Sequence, residues 1–167
     1  MSCYDGACRG FDAESTAGTG KLSFGLGAPL KHLLQTFTTR TTGLLAQVRV
    51  GLECSYTIPV ALSITSVDAD GKPLGVVLAE TESERDSAPS FAESERWRSF
   101  ALTPPLMVEA GGRLAFMVSS DLTGCAIRVS VSDGYGSGAL YGQASADGPI
   151  SRTDTYQDAE FRTVVVE

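Results

Sequence analysis

The chain is poor in the residues and motifs on which enzymes most often depend. Its 167 residues include one histidine, His32, so a cluster of metal-binding histidines is excluded. A Ser-His-Asp triad would have to be built around this one imidazole ring. There is no GxSxG, HExxH or CxxC motif, and no glycine-rich phosphate loop opening a helix. Paired carboxylates remain as the enzymatic alternative, because acidic residues are plentiful. These absences favour a non-catalytic protein.

A long apolar run and an excess of positive charge are also missing. No run approaches the roughly 18 to 20 apolar residues of a membrane-spanning helix. The first residues, MSCYDGACRG, have neither the basic nor the apolar part of a secretion signal. Thirteen basic against twenty acidic residues give a net charge of -7, which repels phosphate backbones and anionic lipid surfaces. We therefore expect no membrane span and no nucleic-acid partner.

Helical periodicity is absent too, and strand periodicity takes its place. Over residues 97–118, apolar residues alternate with small or polar ones around a Pro104-Pro105 break and a Gly111-Gly112 turn. Asp70-Gly71 predicts a hairpin turn. A second predicted strand begins at Gly43, and one of its faces would carry Leu44, Ala46, Val48, Val50 and Leu52. The sequence predicts an all-β fold, an antiparallel two-sheet β-sandwich of jelly-roll or Greek-key topology with about eight or nine strands.

The alternation of apolar and polar residues begins after residue 28, and this start marks the predicted domain boundary. Residues 1–28 are rich in Gly, Ala, Ser and Thr and are predicted to be an irregular N-terminal segment, followed by a β-sandwich domain over 29–167. Residues 80–95 are strongly charged and predict a surface loop or a short helix over one edge, with partner docking as the functional alternative. Trp97 and Phe100 are predicted as core residues.

Four cysteines allow three pairings. We favour Cys3 with Cys8 and Cys54 with Cys125, because local closure of the first pair leaves the second to link two strands. Unpaired buried thiols are the alternative, and the missing CxxC spacing disfavours zinc. The disulfides predict an extracellular or cell-surface protein.

Several short motifs occur in an order that resembles jelly-roll modules of secreted and surface-attached bacterial proteins. The matching positions are Gln35-Thr36-Phe37, Gly43-Leu44-Leu45, Asp70-Gly71-Lys72-Pro73, Trp97 with Phe100, Val108-Glu109-Ala110-Gly111, Tyr135 with Gly138, and Asp158-Ala159-Glu160-Phe161. The resemblance covers about residues 30 to 167. It implies a non-catalytic accessory domain akin to carbohydrate-binding modules, attached to enzymes, adhesins or surface proteins. It carries over no binding residues, because it rests on core and turn positions.

The candidate ligand contacts lie in aromatic loops. An aromatic ring can stack on the apolar face of a sugar while nearby polar groups bind its hydroxyls. Asp133, Tyr135, Tyr141 and Tyr156 are the candidates, and the alternative is that the tyrosines cap the edge of the sandwich.

Oxygen-rich segments predict one candidate ion site. Asp154, Asp158 and Glu160 near the last strand could hold a structural Ca²⁺, whereas the turn at Asp68 and Asp70 lacks further ligands and is interpreted as a hairpin.

The sequence thus favours a non-catalytic binding module that recognises a glycan or other extracellular polymer through its loops. The alternative is a structural or assembly domain of a surface protein, with no small ligand. Self-association, or fusion to another domain, fits either hypothesis.

Overall fold

The computed structural model describes the backbone of residues 2–4 and 7–9, and all atoms of residues 11–16, 19–54, 58–82, 97–132 and 135–167. Across these ranges the regular structure is entirely β. The strands are β1 (Ser2–Tyr4), β2 (Ala7–Arg9), β3 (Glu14–Ser15), β4 (Gly20–Phe24), β5 (His32–Thr38), β6 (Gly43–Glu53), β7 (Ala61–Val67), β8 (Pro73–Glu82), β9 (Trp97–Val108), β10 (Arg113–Ser119), β11 (Cys125–Ser130), β12 (Leu140–Gln143), β13 (Ile150–Arg152), β14 (Asp158–Ala159) and β15 (Phe161–Val166).

Two antiparallel sheets pack against each other. One has six strands in the order β13-β12-β5-β10-β7-β8. The other has seven, in the order β14-β11-β6-β15-β3, with β4 beside β11 and β9 beside β6. β1 and β2 form a separate hairpin. The predicted antiparallel two-sheet β-sandwich is confirmed. Its strands are more numerous than predicted, partly because a single residue, Glu160, interrupts β14 and β15. The jelly-roll or Greek-key topology stays a prediction.

Aromatic rings from both sheets meet in the core. Phe37 and Phe116 come from the six-stranded sheet and Phe161 from the seven-stranded sheet, and all three are fully buried. The ring centroid of Phe161 lies 6.2 Å from that of Phe37 and 5.4 Å from that of Phe116. Tilted rings at this spacing are favourable beyond the area they bury. The alternating apolar residues of β5, β10 and β15 converge on this cluster, which ties the two sheets together.

A buried polar bridge lies beside the aromatic cluster. Gln35 on β5 donates from Nε2 to Asp158 Oδ1 (3.1 Å) and accepts from the Ala159 backbone N–H at Oε1 (2.7 Å). Gln35 Nε2 also donates to the Thr36 carbonyl (3.0 Å). These bonds join the six-stranded sheet to β14 of the seven-stranded sheet. Two motif positions that are far apart in sequence, Gln35 and Asp158, are therefore direct partners.

Part of the predicted irregular segment over 1–28 belongs to the sandwich. β3 pairs with β15, and β4 pairs with β11 along its whole length. Ala13 is fully buried, and its carbonyl accepts a hydrogen bond from the Thr163 backbone N–H (2.8 Å). These strands are short and contain few apolar residues, which explains why alternation did not mark them. In the charged segment predicted over 80–95, β8 runs to Glu82, and residues 83–96 lie outside the described part of the chain.

Trp97 and Phe100 lie on opposite sides of the seven-stranded sheet. Phe100 is in the core, as predicted. Trp97 is also buried, but on the outer face, where its ring contacts the Arg162 guanidinium at 4.4 Å from Cζ to the ring centroid. The same guanidinium lies 4.6 Å from the ring centroid of Phe11. Trp97 is therefore buried as predicted, but in a cation–π contact on the outer face and not in the cluster that contains Phe100.

Candidate functional site

The outer face of the six-stranded sheet carries the candidate site. Residues paired across neighbouring strands point to the same side of a sheet. The core side chains Leu33 and Phe37 point inward together with Gln35, so the alternate residues His32, Leu34, Thr36 and Thr38 point outward. The strand register places four rows of side chains on this outer face. The rows are Arg113 with Thr38; Ala115 with Thr36; Met117 with Leu34, Tyr141 and Arg152; and His32 with Gln143 and Ile150.

This outer face is partly enclosed by the start of β8. β8 and β13 are opposite edges of the sheet, which in a flat sheet would lie about 24 Å apart. A Cβ atom placed on Gly75 of β8 would nevertheless lie 3.7 Å from Ile150 Cδ1 of β13. Leu34 and Ala115 point away from the core yet are fully buried. The sheet and the first residues of β8 therefore form a curved, partly covered surface.

Two grooves occupy this surface. The tyrosine groove has a volume of about 580 Å³ and is lined by Thr36, Thr38, Asp70, Arg113, Tyr141, Arg152 and residues 136–139, among others. The histidine groove has a volume of about 470 Å³ and is lined by His32, Asp68, Lys72, Met117, Gln143 and Ile150, among others. Both volumes lie within the range of small-molecule and oligomer sites.

The hairpin turn at residues 68–72 contributes to the walls of both grooves. Asp68 Oδ1 accepts hydrogen bonds from the backbone N–H groups of Asp70 (3.0 Å) and Lys72 (2.8 Å). Gly71 has φ of 84°, and a Cβ atom there would lie 3.2 Å from Arg113 Nη1. The predicted hairpin turn is thus present, and Asp68 closes it with two backbone hydrogen bonds. Glycine at position 71 leaves room for Arg113 beside it.

The two grooves differ in how many of their polar groups are already hydrogen-bonded within the protein. In the histidine groove, His32 Nδ1 is hydrogen-bonded to Gln143 Oε1 (2.8 Å), and Gln143 Nε2 donates to the carbonyls of Ala146 and Gly148. In the tyrosine groove, the Tyr141 hydroxyl and the Arg113 guanidinium make no hydrogen bond or ion pair with any described residue. The tyrosine groove therefore offers more free donors and acceptors to a ligand.

Tyr135, a predicted ligand contact, is instead a core residue. Its ring is 4% exposed and meets the Phe161 ring edge-on, with centroids 5.2 Å apart. Its hydroxyl accepts a hydrogen bond from the Thr38 backbone N–H (3.0 Å) and donates to the Thr38 carbonyl (3.3 Å). A buried ring with an engaged hydroxyl presents nothing to a ligand, so this prediction is corrected.

The burial of Tyr135 predicts a pH dependence of stability. Burial raises the pKa of its hydroxyl, against the opposing effect of the Thr38 backbone hydrogen bond. The pKa is thus higher in the folded state than the value of about 10 in the unfolded chain. The stabilisation is fully present below about pH 10 and is lost as the pH rises through the folded-state pKa.

Melting curves from pH 7 to pH 12 would measure this loss. We expect Tyr135→Phe to lose less stability than wild type at the alkaline end, and to be about 1 kcal/mol less stable at pH 7 because the Thr38 N–H loses its partner. Tyr141→Phe, which removes a hydroxyl outside the core, is the control and should follow wild type. An alkaline loss in Tyr135→Phe equal to that of wild type would contradict the assignment.

The remaining predicted ligand residues are dispersed. Tyr141 lines the tyrosine groove. Tyr156 packs against the core on the side of β4, where a Cβ atom on Gly20 would lie 3.1 Å from its ring. Asp133 lies outside the described residues. Of the three candidates that the structure describes, Tyr141 is the one that lines either of these grooves.

The predicted calcium ligands also occupy separate environments. Asp158 is fully buried, and its Oδ2 accepts a hydrogen bond from the Tyr135 backbone N–H (3.0 Å) while Oδ1 accepts from Gln35. Glu160 is buried and accepts from Arg128 Nε (3.0 Å), whereas Asp154 is exposed. Among the described residues, no group of three or more His, Cys, Asp or Glu is placed to hold a metal ion. Asp158 and Glu160 act as hydrogen-bond acceptors within the fold, and a structural Ca²⁺ near the last strand stays a prediction.

Arg128 extends this ion-pair network along the seven-stranded sheet. Its Nη1 lies 2.6 Å from Glu53 Oε1, and Lys21 also pairs with Glu53. The hydrogen bond from Lys21 is the largest effect and lowers the pKa of the Glu53 carboxyl below its usual range. Burial opposes it, and the hydrogen bond from Arg128 and the charges of both cations add to the lowering. The network joins β4, β6 and β11, so these charges act within the sheet.

One predicted disulfide is present. Cys54 and Cys125 are bonded, with Cα atoms 4.4 Å apart, and they connect the end of β6 to the start of β11. Cys3 and Cys8 face each other in the register of the β1–β2 hairpin, but their side chains lie outside the described part of the structure.

Arg113, Arg152 and Asp70 are groove residues that sequence reasoning missed. Arg113 follows the Gly111-Gly112 turn, and Asp70 sits in the hairpin turn. Both are typical surface residues of turns, and only the strand register shows that they share a face with Tyr141.

The comparisons give no relative from which these residues could be interpreted. None of the protein-family models matches the chain, and no curated protein is significantly similar to it. None of the described segments forms a helix that could cross a membrane.

Proposed function

We propose that this chain is a non-catalytic binding module that recognises a glycan through the tyrosine groove. The observation that carries the proposal is the placement of Tyr141 among unengaged polar groups in a groove on one sheet face. The Tyr141 ring supplies a surface on which the apolar side of a sugar ring can stack. Arg113 and Asp70 lie within the same lining and can donate to and accept from sugar hydroxyls.

The glycine-rich loop at residues 136–139 shapes one wall of this groove. A Cβ atom on Gly138 would lie 2.0 Å from the Thr36 carbonyl oxygen, so Gly138 lets the loop pack directly on β5. A Cβ atom on Gly136 would meet nothing within 4 Å, so this position is open. The loop therefore combines a fixed anchor with an accessible backbone, which suits recognition of a polymer by hydrogen bonds.

The groove chemistry supports binding without hydrolysis. Glycosidases use a pair of carboxylates on the two sides of the scissile bond. Asp70 is the single acidic residue in the described lining of the tyrosine groove. The Cys54–Cys125 disulfide supports an oxidising compartment, so we propose an extracellular or cell-surface protein of bacterial type.

Tyr141→Ala tests this function. We expect it to weaken polysaccharide binding about fivefold or more, because a stacked aromatic contributes on the order of 1–3 kcal/mol. Tyr141→Phe keeps the ring and should retain most of the affinity. The measurement is affinity electrophoresis against a panel of soluble polysaccharides, followed by titration calorimetry on the best ligand.

The matched control is Met107→Ala, at a residue that is 67% exposed and lies on β9 of the other sheet. It should bind like wild type. Failure of the whole polysaccharide panel, or equal binding by Tyr141→Ala, would contradict the proposal.

An assembly domain is the second candidate, and one observation favours it. The edge strand β8 exposes four apolar residues, each about half accessible: Leu74, Val76, Val77 and Leu78. Exposed apolar edge strands can pair with another chain. Concentration-dependent sedimentation together with failure of the polysaccharide panel would favour this alternative.

A further inference from the structure

We infer that the tyrosine groove selects an anionic polysaccharide, one that carries carboxylate or sulfate groups along its length. This inference rests on the proposed function and specifies its ligand class. Its basis is the charge of the groove. The described lining contains two arginines, Arg113 and Arg152, and one acid, Asp70.

The charge of the described groove lining is opposite in sign to that of the whole chain. The protein has a net charge of -7, so its surface as a whole repels polyanions. A groove with an excess of arginine on such a surface is a local attractive site. The net negative charge of the protein opposes anion binding. A polyanion would therefore have to bind in this groove, and its affinity would depend on Arg113 and Arg152.

The two guanidinium groups are available for this role. Arg113 makes no hydrogen bond or ion pair with any described residue. Arg152 donates one hydrogen bond, from Nη2 to Gln157 Oε1 (3.3 Å), and keeps its other donors. A guanidinium presents a planar pair of N–H donors that matches a carboxylate or a sulfate, and such charge-assisted bonds are stronger than those to a neutral hydroxyl.

The separation of the arginines points to a polymer rather than a small acid. Arg113 pairs with Thr38, and Arg152 is in register with Leu34 through Tyr141. They are thus offset by four residues along the strand and by three strands across the sheet. In a flat sheet this offset corresponds to about 20 Å between their Cα atoms. One sugar acid could reach only one arginine, whereas a chain across the groove could reach both and stack on Tyr141 between them.

The test compares pairs of polymers that differ only in charge. Polygalacturonate is compared with its methyl ester, and dextran sulfate with dextran, by titration calorimetry at low and high salt. We expect a charged polymer of at least one pair to bind at least about tenfold more tightly than its neutral partner, with affinity falling as salt rises. The preferred pair distinguishes carboxylate from sulfate. Galacturonic acid as a monomer should bind more than about tenfold more weakly than polygalacturonate.

Variants then locate the effect. Arg113→Gln and Arg152→Gln are each expected to weaken binding of the charged polymer about tenfold. Arg40→Gln removes the same charge from an exposed arginine outside the groove lining and should leave affinity unchanged. All three sites are exposed, so equal melting temperatures would show that folding is intact.

The outcomes separate this inference from the proposed function. Equal or tighter binding of the neutral polymers, with sensitivity to Tyr141→Ala, would overturn the anion selection and leave the glycan-binding function standing. Binding of charged polymers that falls equally in Arg40→Gln would also overturn it, since general charge would then suffice. Binding of no polymer, charged or neutral, would overturn the proposed function itself.

Discussion

Replacing Cys54 and Cys125 together by alanine is expected to destabilise the fold by about 4 kcal/mol. The bond closes a loop with a sequence separation of 71, and in the loop-entropy model a loop of this length stabilises by about this amount. The melting temperature should fall by roughly 10 °C or more for a domain of this size. Alanine is the suitable replacement, because Cys125 is 2% exposed and a serine hydroxyl there would be buried.

The control for this result is the double variant Cys3→Ala/Cys8→Ala. These residues belong to a hairpin that is part of neither sheet. A bridge between them would close a short loop worth about 2 kcal/mol in the same model, so the loss should be about half as large. A thiol assay under denaturing, non-reducing conditions should show Cys54 and Cys125 unreactive. Reactive thiols at both positions, or no change in melting temperature, would contradict the result and the proposed compartment.

Replacing Asp158 by alanine is expected to cost about 3 kcal/mol. The substitution leaves two buried donors, Gln35 Nε2 and the Tyr135 backbone N–H, without the acceptors they have in the native fold. Each buried unsatisfied donor costs about 1–3 kcal/mol. The bridge between the two sheets would also lose one of its members. Urea denaturation is the measurement, with the midpoint expected to fall and the slope to stay constant.

Asp154→Ala is the matched control, since this aspartate is exposed and near in sequence. Its effect should be within about 0.5 kcal/mol. A double-mutant cycle with Gln35→Ala should show coupling, because the two side chains share a hydrogen bond. Equal losses for Asp158→Ala and Asp154→Ala, or additive losses in the cycle, would exclude Asp158 as the bridging acceptor.

Much of the core could be predicted from alternation alone. Val48 and Val50 point inward on β6, and Phe161 does so on β15. An antiparallel strand with one solvent-exposed face must alternate inward apolar with outward polar side chains. The same rule, applied strictly, would have placed Trp97 correctly. It stands three residues before Phe100, and an odd spacing in a strand puts two side chains on opposite faces. Opening the same strand as Phe100 therefore does not place Trp97 in the same cluster.

The groove could not be predicted, because its residues are far apart in sequence. Tyr141, Asp70 and Arg113 lie on three different strands or turns, and no local pattern links them. They share a surface through strand register and through the folding of the 68–72 turn over the sheet. Tyr135 illustrates the opposite case. A glycine-flanked tyrosine suggests a loop contact, yet its hydroxyl finds a buried partner in the backbone of Thr38.

The position of β3, β4 and β15 has a consequence for substitutions in the groove. These three strands all run in the seven-stranded sheet, whereas the tyrosine groove opens on the outer face of the six-stranded sheet. The aromatic core lies between the two layers. Side chains on the groove face can therefore be exchanged without touching the packing of β3, β4 and β15.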